Sequence, residues 1–334
     1  MRIFIALIAL ILLFGCIDGE PEVQNQTNIT NVTEQQPPVT IIIGQQENQT
    51  VEGNYTEIEP EENDTLENTF EYSPNKTLGI YFIDVGDQML HGDAILIKKG
   101  DLDILVDAGP QEKGNDVVDF LNSRSVDDIE LLISTNADPR HYGGIKTVAN
   151  NFEIGEVWWT GDTFANTAYA DAINKTGAKI EKVWDGHTAE LNGITLEILN
   201  PSETERFGDV NNDAIVTRIT DRNFSLLLTS GIQTGAQGDL INNHLNEIKN
   251  QVIHAPYYGV GAGTSNIGIL LIKAEPEVMI ISGSADESAV NGGSREPFKR
   301  LMEQYGIIWY ENYVNGTIKV TVTGEGYSVQ PVES

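Results

Sequence analysis

The chain has 334 residues, with 50 acidic and 20 basic side chains and a formal net charge of −30. Apolar residues make up 40% of it, which is enough for one large folded domain or two small ones. The negative charge argues against general binding to nucleic-acid backbones, which requires clustered Lys and Arg. A single Cys excludes an internal disulfide and any multi-cysteine zinc cluster.

The amino terminus has the pattern of an export signal. One basic residue, Arg2, precedes an unbroken apolar run that is short for a membrane-spanning helix and matches the hydrophobic region of a signal peptide. The run ends at Gly15-Cys16, a small residue followed by Cys, which resembles the cleavage site of lipoproteins. We therefore predict a signal peptide over residues 1–15 and lipid on Cys16, which would anchor the chain to the outer face of the cell membrane. An uncleaved N-terminal anchor is the alternative.

Residues 16–77 have a different composition. They contain 13 acidic residues and one base, Lys76, and most of the remainder is Asn, Gln and Thr. Such a segment buries too little apolar surface to offset its ordering entropy, so we expect a disordered tether in which residues 39–43 are a brief β-prone run. N-glycosylation sequons occur at Asn25, Asn28, Asn31, Asn48, Asn54, Asn63 and Asn75. Their density favours a glycosylated stalk, as on an archaeal surface protein.

From residue 78 to residue 330 the pattern is that of a folded domain. Apolar runs predict strands at residues 78–85, 94–98, 103–106, 129–134, 157–160, 194–199, 214–220, 225–229, 252–254, 278–282, 307–310 and 318–323. Helical spacing of apolar residues predicts helices at residues 116–124, 171–176, 242–250 and 296–305. Strands and helices that interleave in this way indicate an α/β domain with buried sheets.

Several segments of this domain carry a family resemblance. Residues 83–86 (IDVG) are followed, after an insertion at 87–91, by residues 92–97 (GDAILI). Residues 104–109 (ILVDAG) and 211–216 (NNDAIV) follow in order, and residues 307–310 and 315–318 match at the carboxyl end. Together these motifs resemble the metallo-β-lactamase fold, most closely the hydrolase-like domain of the ComEC/Rec2 competence proteins. The resemblance implies a four-layer αββα sandwich.

The resemblance also implies a site for two metal ions, bound by imidazoles and carboxylates that leave a position open for water. The family's first motif, His-x-(His/Asp)-x-Asp-His-x-Gly-Gly, corresponds to residues 136–144 (NADPRHYGG). Asp138 and His141 remain as residual metal ligands. Asn136 replaces the first His, and Arg140 replaces the Asp that binds the second metal. A guanidinium is permanently cationic and repels a divalent ion.

The later ligand positions are replaced as well. Gly231 stands where the family has an Asp that bridges both metals, and Tyr257-Tyr258-Gly259 stands where it has His-His-Gly. The late turn, residues 292–297 (GGSREP), has no His. Among the five His of the chain only His141 falls at a ligand position, and His254 is predicted to be an ordinary strand residue.

Two surviving ligands are too few for a two-metal site, which needs about five or six donors. The first hypothesis is therefore a surface-anchored lipoprotein whose domain is non-catalytic, has no cofactor and binds a small ligand or a partner in the cell envelope. The binding surface would be the former active-site cleft, with Asn136, Arg140, His141, Tyr257 and Tyr258, and with Trp158 and Trp159 nearby. Burial at a strand end is the alternative for the two Trp.

Two other hypotheses remain open. A metal-dependent phosphodiesterase or other hydrolase would bind one Zn²⁺ or Mn²⁺ through Asp138, His141 and a further carboxylate such as Asp84 or Asp107, while Arg140 binds a phosphate. A purely structural module of the cell envelope would need no ligand. A shift in melting temperature with a small molecule separates that module from a binding domain.

Overall fold

The computed structural model describes residues 39–42, 70–87, 90–261, 268–285 and 293–332. The expected signal peptide, Cys16 and most of the expected tether lie outside these residues. Within the described ranges, no helix has the length and apolar character needed to cross a membrane.

The described strands and helices interleave along the chain. The strands are β1 (Val39–Ile42), β2 (Leu78–Phe82), β3 (Ile95–Lys99), β4 (Leu102–Val106), β5 (Ile129–Ile133), β6 (Ile154–Trp159), β7 (Lys179–Lys182), β8 (Thr188–Leu191), β9 (Ile194–Asn200), β10 (Val216–Asp221), β11 (Phe224–Leu228), β12 (Val252–His254), β13 (Val278–Ile281), β14 (Ile308–Glu311), β15 (Ile318–Val322) and β16 (Gly326–Pro331). The helices are α1 (Gly114–Ser123), α2 (Pro139–Tyr142), α3 (Ile145–Val148), α4 (Thr167–Lys175), α5 (Thr234–Asn243), α6 (Gly268–Ala274), α7 (Glu296–Tyr305) and α8 (Asn312–Asn315).

The strands form two mixed sheets. Sheet A has the order β1-β16-β15-β2-β3-β4-β5-β6-β7, and sheet B has the order β14-β13-β12-β11-β10-β9-β8. In sheet A the strands from β4 to β7 are parallel, and in sheet B those from β11 to β14 are parallel. The other neighbouring pairs are antiparallel.

Three layers of apolar contact hold the sheets and helices together. Between the sheets, side chains such as Ile104 of β4 and Leu226 of β11 form the central core. Helices α1, α3 and α4 cover the outer face of sheet A. Helices α5, α6 and α7 cover the outer face of sheet B. Strands β4, β5 and β11 are buried at every residue, as expected for parallel strands covered on both faces. The expected four-layer αββα sandwich is confirmed.

The structure differs from the sequence prediction in several places; strands β7, β8 and β16 and helices α3 and α6, for example, lie where no element was predicted. Phe70 is buried in the central core, and the backbone N of Ser73 donates a hydrogen bond to Asn192 (2.6 Å), so the fold includes residues before 78. The helix predicted at residues 242–250 is wrong, because α5 begins at Thr234 and ends at Asn243. Two Gly in α5 weaken its local helical pattern. Asn212 compensates by accepting hydrogen bonds from the backbone N of Gln233 and Ala236 at the start of the helix.

Candidate functional site

The candidate site lies where the parallel strands of the two sheets end. Asp107 follows β4, Thr135 follows β5 closely, and Ser230 lies just after β11. In sheet B, which also contains β11, His254 is the last residue of β12 and Ser282 follows β13. Because parallel strands bring their carboxyl ends to one edge of a sheet, the fold gathers these polar residues from distant parts of the chain.

His141, in the short helix α2, is the centre of the site and is only 1% exposed. Its Nδ1 lies 2.8 Å from Asp107 Oδ2 and 3.6 Å from Asp93 Oδ2, and its Nε2 lies 2.7 Å from the hydroxyl oxygen of Tyr258. Burial alone would lower the pKa of His141, but the carboxylates, chiefly Asp107, raise it to about 9. At neutral pH the ring is therefore an imidazolium that donates from both nitrogens.

Asp93 connects His141 to a second buried histidine. Asp93 Oδ1 lies 3.3 Å from Nε2 of His254, and that nitrogen is 3.0 Å from the hydroxyl of Ser282. Burial would raise the pKa of Asp93, but the charges of His254 and His141, together with hydrogen bonds from His254 and Ser282, hold it well below its ordinary value. Asp93 is not among the site residues that the sequence motifs predicted. Its position in the GDAILI motif, between Gly92 and the start of β3, is the sequence feature that could have indicated a role for Asp93 in the site.

The two residues around the expected second metal position neutralise each other. The Arg140 guanidinium forms an ion pair with Asp138, and Arg140 Nε and its backbone N each donate to Asp138 Oδ1 at 2.9 Å. Burial would raise the pKa of Asp138, but the hydrogen bonds from Arg140 lower it to about 2. Arg140 Nη1 also lies 2.7 Å from Nε2 of His91, a buried residue of the insertion. Asp138 is thus committed to the guanidinium.

The residues at the His-His-Gly position form a strained turn. Tyr257 and Tyr258 have φ angles of 45° and 58°, in the left-handed region, which costs a non-glycine residue about 1–2 kcal/mol. The Tyr258 ring lies under Arg140, 5.4 Å from its guanidinium carbon, and meets the ring of His91 edge-on at 4.6 Å. Arg295, which sequence analysis missed, is fully buried and donates from Nε to the Tyr258 carbonyl (2.9 Å). These contacts hold the Tyr258 hydroxyl against His141.

The remaining positions taken from the resemblance also lie here. A Cβ placed on Gly231 would be 3.8 Å from His141 Nε2 and 3.4 Å from Asn136 Nδ2. Asn136 is buried, and its Nδ2 donates to the hydroxyl of Ser230 (3.3 Å). The fold therefore brings together all the expected positions, Asn136, Asp138, Arg140, His141, Gly231, Tyr257 and Tyr258.

The two Trp do not form one binding surface with these residues. Trp158 is 2% exposed in the core between the sheets, and its indole N donates to Glu156 Oε1 (2.8 Å). Trp159 packs against Tyr169 on the outer face of sheet A. The hypothesis that Trp158 lines the cleft is wrong, because the inward face of β6 directs it into the core.

The donor set does not fit two metal ions, because Arg140 pairs with Asp138 and Tyr258 bonds to His141. It fits a single ion better. Among the described residues, one group of three His or carboxylate donors has its ligand atoms within 4.8 Å of one another, and it consists of Asp93, Asp107 and His141. Such a set suits Zn²⁺ or Mn²⁺. Asp84 and Asp138, which the sequence suggested for a one-metal site, are not in this group; Asp84 accepts a hydrogen bond from the backbone N of Gly86 (3.1 Å).

Comparison with known proteins gives matches among solved structures. No protein-family model and no curated protein matches the sequence. The metallo-β-lactamase fold protein YhfI from Bacillus subtilis is similar with a TM-score of 0.50 and 10% identity, over 75% of this chain and 98% of YhfI. Igni18, a metallo hydrolase from Ignicoccus hospitalis, gives a TM-score of 0.46 and 13% identity, over 72% of this chain and 98% of Igni18. Zn²⁺-bound PqqB from Methylobacterium extorquens gives 0.43 and 12%, over 66% of this chain and 85% of PqqB. The two sheets, their covering helices and the match to YhfI show that the chain has the metallo-β-lactamase fold.

Proposed function

We propose that this protein is a surface-anchored lipoprotein whose metallo-β-lactamase-like domain is non-catalytic and binds a small ligand or an envelope partner. One observation carries the loss of catalysis: protein groups occupy the ligand atoms of the site. The Tyr258 hydroxyl contacts His141 Nε2, and the Arg140 guanidinium is paired with Asp138. Both imidazole nitrogens of His141 contact protein oxygens, so a metal ion would have to displace Asp107 or Tyr258 from His141.

The charges of the site support the same proposal. Asp93, Asp107 and Asp138 are buried or nearly so, and buried carboxylates need compensating positive charge. The imidazolium of His141 lies beside Asp93 and Asp107, and Arg140 lies beside Asp138. Side-chain cations therefore balance the negative charge of these carboxylates, as metal ions do in a metal-dependent hydrolase. Unlike a metal ion, these cations do not generate the bound hydroxide that serves as nucleophile in a metal-dependent hydrolase.

The accessible part of the site indicates what it can bind. The side chain of Arg140 is 27% exposed and that of Asp138 is 13% exposed, whereas His141, Asp93 and Asp107 are out of contact with solvent. A ligand therefore meets a guanidinium and a carboxylate at the mouth of the site. Because Asp138 is already paired, the exposed part of the guanidinium suits a ligand or partner that carries an anionic group.

The anchor and the stalk complete the proposal. The Gly15-Cys16 pattern supports lipid attachment at Cys16, and the sequons support a glycosylated, extracytoplasmic stalk on an archaeal cell. The motifs at residues 83–97 and 104–109 support a domain closest to that of ComEC/Rec2 proteins. Mass spectrometry of the protein purified from its native membrane tests the lipid and the glycans directly.

Metal content tests the loss of catalysis. The full chain is incubated with Zn²⁺ and Mn²⁺, desalted, and its metal per chain is measured by mass spectrometry together with turnover of a generic phosphodiester. We expect metal at background and no turnover. One or two tightly bound ions per chain with turnover would overturn the proposal.

A one-metal hydrolase is the second candidate, because the donor atoms of Asp93, Asp107 and His141 lie so close together. It predicts one ion per chain, which His141→Asn removes together with turnover. His244→Asn is the matched control, since His244 contacts Asp185 at 3.1 Å, away from the site. Metal that persists in the His141→Asn variant would eliminate this candidate.

A further inference from the structure

A strand from the expected tether forms one edge of sheet A. Strand β1 pairs antiparallel with β16, with Val39 opposite Val329 and Ile42 opposite Gly326. The 27 residues from 43 to 69 separate β1 from Phe70 in the sequence. Residues 39–43 (VTIII) are all β-branched, which favours extended backbone, within a segment otherwise rich in polar residues.

Strand β16 has a second partner besides β1. Strand β16 also pairs with β15 along its length, and its Tyr327 and Val329 are buried in the central core. Release of β1 would therefore leave β16 paired with β15 and uncover the other backbone edge of β16. An edge of this kind is a docking surface for an extended segment, which gains affinity through main-chain hydrogen bonds.

The connection that follows β1 is longer than the fold requires. It starts beside Gly326 and returns near the turn between β3 and β4, where the backbone N of Glu71 donates to Asp101 (2.8 Å). Five strand spacings separate β1 from β4, or roughly 24 Å. A connection of 27 residues can span up to roughly 90 Å. A connection of this length does not by itself fix the position of β1, and the pairing with β16 is the contact that the structure describes for it.

We propose that residues 39–42 are a detachable strap and that the edge of β16 is its docking site within the same chain. The docked state leaves 22 residues, 17–38, between Cys16 and the domain, and the released state leaves 53, 17–69. The maximum reach then changes from roughly 75 Å to roughly 185 Å. Docking itself is independent of the anchor, whereas this change in reach rests on the proposed lipid at Cys16.

Disulfide trapping tests the docking. Thr40 is opposite Ser328, and Ser328 is opposite Thr321 one strand further on. In the full chain with Cys16→Ser, the pair Thr40→Cys and Ser328→Cys should form an intramolecular disulfide on mild oxidation. The matched pair Thr40→Cys and Thr321→Cys should not, because two strand spacings exceed the reach of a disulfide. A disulfide-linked dimer would show exchange between copies, and no disulfide above the control would show no docking; either result overturns the proposal.

Hydrogen exchange tests whether the strap detaches. In the full chain the β1 amides should exchange at least about 100-fold faster than the amides of β15, because they open without global unfolding. Ile41→Pro should expose the β16 amides that face β1 and leave the melting temperature unchanged, and Thr50→Pro, outside the strand, is the matched control. Equal protection of β1 and β15, or a large loss of melting temperature in Ile41→Pro, would make β1 a permanent part of the domain. Neither measurement depends on metal content, turnover or lipid, so the strap and the proposed function fail separately.

Discussion

At the scale of single residues, the contact between Tyr258 and His141 occupies one ring nitrogen of the central histidine of the site. The Tyr258 hydroxyl lies 2.7 Å from Nε2 of His141, and Asp107 holds the opposite nitrogen. Tyr258 reaches this position only through a left-handed backbone, which a non-glycine residue adopts at a cost. Strain of this kind persists when surrounding contacts fix it, as Arg140, His91 and Arg295 do here.

Removal of the Tyr258 hydroxyl tests this contact. Tyr258→Phe keeps the ring that packs under Arg140 but leaves Nε2 of His141 buried without that partner. We expect the free energy of unfolding to fall by about 1–3 kcal/mol, measured by urea denaturation, because an unsatisfied buried donor loses its hydration without compensation. Tyr305→Phe, at a Tyr that is largely exposed on α7, is the control and should change it by less than about 0.5 kcal/mol. Equal effects of the two variants would show that His141 does not rely on Tyr258.

A second buried group, far from the site, makes stability depend on pH. Glu130 of β5 is 2% exposed; its Oε2 accepts a hydrogen bond from the backbone N of Asp103 (2.7 Å), and its Oε1 has no hydrogen-bond partner. Burial raises the pKa of Glu130 from 4.5 to about 8. Between these two pH values, the Glu130 carboxyl is ionised in the unfolded chain but keeps its proton in the native state. Stability therefore falls as pH rises from about 4.5 to about 8.

Glu130→Gln should remove this dependence. We expect the variant to gain stability over the unaltered chain at pH 8, on the order of a few kcal/mol, and to differ little from it at pH 5. Urea denaturation at pH 5, 6.5 and 8 measures the difference, and Glu190→Gln, at an exposed position of β8, is the control. Parallel pH profiles for the Glu130→Gln variant and the unaltered chain would mean that Glu130 does not retain its proton in the native state.

At the scale of elements, the start of α7 supports the strained turn. Arg295 precedes α7 and donates from Nε to the Tyr258 carbonyl and from Nη1 to the Ser284 carbonyl (3.1 Å), while its guanidinium carbon lies 4.8 Å from the ring of Tyr313. The helix thus presents a planar cation that links two loops of the site. This geometry depends on the fork of donors that only Arg has.

Arg295→Lys tests that link, because it keeps the charge and removes the fork. We expect a loss of about 2–3 kcal/mol in the free energy of unfolding, since hydrogen bonds from a buried charged group are among the strong ones. Arg300→Lys, at an exposed position of the same helix, is the control. If Arg295→Lys matches the control, the turn at Tyr258 is held by other contacts.

Strands were easier to predict from the sequence than the site. Buried parallel strands such as β5 and β11 are short apolar runs that the sequence displays directly. Helix α6, by contrast, was not predicted, and α5 was displaced, because two Gly and a cap from Asn212 make its start depend on tertiary contacts. The resemblance located seven positions of the site. Asp93 and Arg295 were not predicted, because their contacts, of Asp93 with His141 and of Arg295 with Tyr258, join residues that are far apart in the sequence.

At the scale of the whole molecule, the net charge of −30 opposes the compact state. Like charges on the surface repel one another more strongly in the folded chain than in the expanded one. Most ion pairs in the described residues are partly exposed, so they are screened by salt. The pair of Lys99 and Asp221 is an exception, because it is fully buried between the sheets (3.0 Å) and is therefore screened much less by salt.

Salt should therefore stabilise this domain. Raising NaCl from 0.1 M to 1 M shortens the screening length from about 10 Å to about 3 Å and weakens the net repulsion. We expect the melting temperature of the full chain to rise by several degrees, measured by calorimetry. Lys179→Glu, which breaks the ion pairs of the exposed Lys179 with the buried Glu156 and the partly exposed Glu181 and adds negative charge, should increase this dependence. Lys179→Arg, which preserves the charge, is the matched control. A melting temperature that falls with salt would mean that favourable exposed ion pairs outweigh the net repulsion. The acidic surface would then not destabilise the folded state.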